Sequence, residues 1–174
     1  MSRNYIYTTQ ILDRLRDTRT NFELLINRIQ PARMTISGVI GRWTVKDILV
    51  HILLFEQFLG DTLSDILIAN HAEKFSLNNE LKAMLIVSSL PEMIPSIPIM
   101  HRIAEGKIQK YQSVPLEDII GLENQAYLIL YSFFFNKRTQ FLENTHVFRR
   151  SIVATRKILE AHSTSITCWL ERIH

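Results

Sequence analysis

Gly41-Arg42-Trp43-Thr44-Val45-Lys46-Asp47-Ile48-Leu49-Val50-His51-Ile52 is the stretch on which the reading of the fold turns. Up to Trp43 it closes a linker that begins at Pro31, and the glycines Gly38 and Gly41 permit turns there. At Thr44 its character changes. The Thr44 hydroxyl can accept from the backbone N–H of Asp47, and the Asp47 carboxylate sits favourably in the first helical turn. This is a capping box with Asp in place of the usual Glu. A helix is predicted from Val45 to about Ala69, before the polar break at Asn70 and His71.

Upstream, Tyr5, Ile11, Leu12, Leu15, Phe22, Leu25, Ile26 and Ile29 recur at helical spacing, which predicts a first helix over roughly Asn4 to Gln30. Arg14, Arg16, Asp17, Arg19 and Glu23 are assigned to its outer side, and Pro31 ends it. Downstream, Asn78 to Val87 reads as a short helix. The segment Leu90-Pro91-Glu92-Met93-Ile94-Pro95-Ser96-Ile97-Pro98-Ile99-Met100 reads as a Pro-rich loop. It is too apolar for a solvated linker, so it is expected to cover one end of the core and is a candidate lid. A short helix is predicted from His101 to Gln112. Ser113-Val114-Pro115-Leu116-Glu117-Asp118 then begins a helix reaching Phe135, with an early Pro and two acids in its first turn. The last helix is predicted over Phe148 to Ile173, with Ile152, Leu159, Ile166, Trp169 and Ile173 as its apolar stripe.

No strand alternation and no internal repeat interrupts this pattern. The expected fold is all-α: a four-helix bundle with one or two short extra helices and the Pro-rich loop, in a single domain over residues 1–174. Hydrophobic residues at 47% and charged residues at 21% are in the globular range. Five Gly and five Pro leave long stretches free to be helical. The net charge is +3, but its cations are interleaved with acids and form no basic stripe, so no nucleic-acid partner is expected. No run reaches the roughly 20 apolar residues of a membrane span. The N-terminus lacks an apolar signal core, and the lone Cys168 cannot make an intrachain disulfide, so a cytoplasmic location is expected. Cys168 is expected to be a small buried residue.

Two histidines stand out. His51 shares a helical face with Asp47, Ile48, Leu54 and Phe55, and His162 with Ile158, Leu159, Ser165 and Ile166. One imidazole on an apolar face is ordinary core. Two on different helices point to a shared site, because bundle sites are built from facing helices. Glu56 lies one step off the His51 face and Glu160 two residues before His162, so neither is an obvious third ligand, and Glu56 is a candidate acid–base helper. His71, His101, His146 and His174 read as surface residues.

The Trp43–His51 stretch resembles the start of the second helix in the DinB-like superfamily, and the following Phe55-Glu56 is similar to its DfsB (ClbS-like) branch. Val114 to Ile119, and Glu160-Ala161-His162 with Ile166, Trp169 and Leu170, resemble later motifs of that branch. The resemblance implies a four-helix bundle, often dimeric. Some members of the superfamily are thiol-dependent enzymes that hold a divalent metal with three histidines. The DfsB branch includes a cyclopropane hydrolase that disarms a DNA-damaging metabolite. By this resemblance His51 and His162 match the first and last histidines, while Ile158 occupies the middle position and cannot bind a metal. The expectation is therefore a bundle that binds or hydrolyses a small apolar or electrophilic molecule, with His51, His162 and Glu56 as acid–base or hydrogen-bonding groups and no cofactor. The alternatives are a non-enzymatic dimerisation module, drawn from the apolar Tyr127–Phe135 run, and a metal-dependent transferase-like enzyme with a degenerate site whose ligands are His51 and His162.

Overall fold

The computed structural model describes residues 3–68, 106–137 and 145–173. Four long helices make up most of them: α1 (Arg3–Asn27), α2 (Val45–Ile68), α3 (Leu116–Lys137) and α4 (Thr145–Arg172). Among the described residues, a 3-10 turn, Gln109–Tyr111, precedes α3. No named strand occurs among the described residues, which are mostly helical, as an all-α fold requires. No described helix is long and apolar enough to cross a membrane. The expected short helix at 78–87 and the Pro-rich loop lie outside the described residues, as do His71, His101 and His174.

α2 packs against α3, α1 against α4, and α4 against α2. Each helix turns a stripe of alternating three- and four-residue steps inward. On α4 that stripe is Phe148, Ile152, Thr155, Leu159, His162, Ile166 and Trp169, all buried. α2 is the most enclosed helix, since Val45, Ile48, Leu49, Val50, Ile52, Leu53 and Phe55 are all buried. An edge-on pair, Phe134 with Phe148 at 5.5 Å between centroids, joins α3 to the start of α4.

The helix ends differ from expectation by a few residues. α1 stops at Asn27 because Arg28 and Ile29 donate to Leu25 and Ile26, an i→i+3 tightening that closes the last turn. The linker then folds into a tight loop. Gly38 and Val39 both donate to the Trp43 carbonyl, and Trp43 donates back to Ile40. This needs positive φ at Gly38 (109°) and Gly41 (57°). The capping box forms: Asp47 N–H donates to Thr44 Oγ1 at 3.0 Å, and Thr44 N–H donates to Asp47 Oδ2 at 2.8 Å.

Two residues stand where the sequence reading did not put them. Cys168 is exposed rather than buried. The inward stripe of α4 runs through Ile166 and Trp169, and Cys168 falls between them on the outer side. Arg19, assigned to the outer face of α1, is only 3% exposed. It stands four residues after Leu15 and three before Phe22 on the inward stripe, and a carboxylate from α3 meets it there.

Candidate functional site

Thr44 and Asp47 set the position of His51. Their capping box fixes the first turn of α2, and Gln112 Nε2 donates to Asp47 Oδ1 at 2.9 Å. Lys46 Nζ donates to the Gln112 carbonyl at 2.9 Å, so the segment after the 3-10 turn is latched to the same helix start. One turn further along α2, the His51 ring is half-buried with Trp43 leaning on it, centroids 5.3 Å apart and planes at 54°.

His162 comes to His51 from α4. The two imidazoles meet edge to face, with centroids 5.3 Å apart and an interplanar angle of 87°. His162 is buried, whereas His51 keeps some exposure, so the pair runs from the core toward solvent. A neutral imidazole offers one donor and one acceptor, and a charged one offers two donors. An adjacent pair can therefore hold a polar group and pass it a proton.

Two imidazoles alone are one ligand short of a usual catalytic metal centre. Such a centre usually takes three protein ligands, and Ile158, one turn before His162 on the same face, is a buried hydrocarbon. Among the described residues no group of three or more His, Cys, Asp and Glu side chains is placed to hold an ion.

Neither oxygen of Glu56 hydrogen-bonds to either imidazole. Five residues beyond His51, Glu56 lies about 140° around α2 and roughly 7.5 Å along it. Its neighbours are a second polar cluster that the sequence reading missed. Arg19 of α1 grips both oxygens of Glu123 on α3, the second contact at 2.7 Å. The same guanidinium donates through Nε to Glu23 at 2.6 Å and through Nη2 to Asn124 Oδ1 at 2.5 Å. It also lies 4.5 Å over the Tyr127 ring. Burial alone would lower the Arg19 pKa, but the hydrogen bond and charge of Glu123, with Glu23, raise it instead. Glu56 is 1% exposed, and neither of its oxygens meets a donor among the described residues. Burial first, and then the charge of Glu123, hold its pKa well above the ordinary carboxyl range, against the pull of Arg19.

The described residues thus contain two polar groupings. His51 with His162 joins α2 to α4 and reaches toward solvent. Arg19 with Glu123 and Glu56 joins α1, α2 and α3 inside the core. Comparisons with known protein families, with curated proteins and with solved structures find no match to the chain, so the two groupings are read from their own geometry.

Proposed function

We propose that the chain is a four-helix bundle of DinB-like architecture, similar to the DfsB branch, that binds and hydrolyses a small electrophilic molecule at its histidine pair. The observation that carries this reading is the edge contact of His51 and His162 across α2 and α4. In it, one imidazole accepts a proton from water as the water oxygen attacks the electrophilic carbon. An imidazolium of the pair returns a proton to the atom that leaves. Positioned acid–base groups of this kind contribute about 10²- to 10⁴-fold in rate. Trp43 supplies an apolar wall beside His51. Glu56 stands outside this chemistry, because its carboxyl group belongs to the Arg19 cluster. A cytoplasmic location fits the reading.

The test is hydrolysis of a panel of epoxides and activated cyclopropanes, followed by mass spectrometry, for the wild type, His51→Ala and His162→Ala. At least one compound is expected to be turned over, and each variant should slow it by about 10²-fold or more while its thermal melt stays cooperative. No turnover of any compound, or wild-type rates in both variants, would overturn the reading.

A second reading, a dimerisation module without chemistry, is favoured by one surface feature. Leu128 and Ile129 are both 61% exposed and Phe135 is 49% exposed on the outer side of α3. Here the histidines are core residues only, so the same two variants separate the readings.

A further inference from the structure

Arg19, Glu56 and Glu123 each take one place on the inward stripes of α1, α2 and α3, and the hydrogen bonds among them are unevenly shared. A guanidinium has five N–H donors. On Arg19, one goes to Glu23, two to the oxygens of Glu123 and one to Asn124. At most one is left. Glu56 receives none of those four, and it is as deeply buried as the leucines around it. A carboxylate in that place would bring a charge into the core without the donors that stabilise one. A neutral carboxylic acid carries a far smaller penalty.

We propose that Glu56 is a proton-binding site built into the helix core, filled while the Arg19–Glu123 pair is closed and emptied when that pair opens. Ionised Glu56 competes with Glu123 for one guanidinium that can grip only one carboxylate with both arms. Losing the proton therefore loosens α1 from α3, and regaining it restores the seam.

The surroundings fix the sign. α1 presents Arg19 and Glu23 to the cluster, and α3 presents Glu123, Tyr127 and Tyr131. α4 carries His162 on its inward stripe, where it meets His51. Burial raises the Tyr127 phenol, so it stays neutral alongside. The ordinary value for Glu56 is 4.5, and the folded value lies well above it. Below 4.5 the folded and unfolded chains both hold the proton. Above it the unfolded chain releases the proton first, so stability falls as pH rises toward the folded value.

The experiment uses the full chain labelled with ¹³C at glutamate Cδ, with the Glu56 resonance assigned by Glu56→Gln. The Glu56 resonance is expected at the protonated-acid position at pH 6. The folding equilibrium constant should fall with rising pH, by up to about tenfold per pH unit for one proton. α1 amides near Arg19 should exchange faster in step with it. Glu56→Gln, a neutral isostere, should remove that part of the slope and equal or exceed the wild type in stability at pH 8. If Glu56→Gln does not fold, Glu56→Met takes its place, and the resonance in the wild type is then assigned by elimination. A carboxylate resonance at pH 6, an unchanged slope in the neutral variant, or constant α1 protection while Glu56 ionises would each overturn the proposal.

Discussion

Replacing Arg19 by Met should expose how the core tolerates its charges. Glu123 is only 2% exposed and both its oxygens are held by Arg19, so Arg19→Met strands a carboxylate where water cannot reach it. Removing one partner of a buried pair typically costs about 3–5 kcal/mol. The stranded group has one escape, which is to take up a proton. For an ordinary glutamate at pH 7 that costs roughly 3.4 kcal/mol, about 1.4 kcal/mol for each pH unit above its usual pKa. This caps the charge-related loss toward the lower end of the first range and makes it pH-dependent. The contact of Arg19 with Tyr127 adds on the order of 0.5–1 kcal/mol, which the buried Met side chain largely offsets.

The expected loss at pH 7 is therefore about 3–4 kcal/mol, equivalent to a fall of roughly 6–16 °C in Tm for a chain of this size. It should shrink steadily as pH is lowered toward 4.5. The double variant Arg19→Met/Glu123→Leu removes both charges and should lie within about 1 kcal/mol of the wild type or above it. Urea denaturation of the wild type, both single variants and the double variant, at pH 5, 6 and 7, measures all of this. A loss below about 1 kcal/mol for Arg19→Met, a loss that does not change with pH, or a double variant no better than the single would refute the reasoning.

Two further outcomes follow from local geometry. Asp47→Ala removes the reciprocal cap on α2 and the anchor for Gln112, and should cost about 1–2 kcal/mol. Its effect should include faster amide exchange in the first turn of α2 and around Tyr111, and an unchanged Tm would count against it. Ile158→His places an imidazole one turn before His162, completing three nitrogens with His51. Co²⁺ titration of tag-free protein should give at least a tenfold higher affinity than wild type and a visible ligand-field band. Equal affinity would mean that position 158 does not face the His51–His162 pair.

How much of this was legible in the sequence depended on the distance over which the information is carried. The capping box involves two residues three apart, and it formed as read. The inward turn of His51 and His162 could be judged for each histidine from its own helical neighbours, and their rings do meet. Arg19 illustrates the opposite case. Leu12, Leu15, Arg19, Phe22, Ile26 and Ile29 form one unbroken series of three- and four-residue steps, and so do Leu49, Ile52, Glu56, Leu59 and Leu63 on α2. Ile119, Glu123, Ala126 and Leu130 do the same on α3. A reading that sorts residues by hydropathy sends the charged member of each series to the outer face, because a single buried charge is prohibitively costly. Burial becomes tolerable only when the cation and the carboxylate meet at one level from helices 104 residues apart in sequence.

That same dependence bears on what the charged layer does in the fold. Leucine layers pack almost equally well after a one-turn slide, whereas a charged layer does not. Sliding α1 by one turn against α3 would move Arg19 about 5.4 Å from Glu123, burying Glu123 without its cation and leaving Arg19 with Glu23 of its own helix. The cost would be several kcal/mol. In-register pairing therefore gains a specificity that the apolar stripes alone could not supply. The Glu56 proton completes the argument, because a third buried charge in that layer would offer Arg19 an equally good partner on α2. Keeping Glu56 neutral leaves Glu123 as the one carboxylate outside α1 that grips Arg19, and the register of α1 against α3 is then defined by a single inter-helix ion pair.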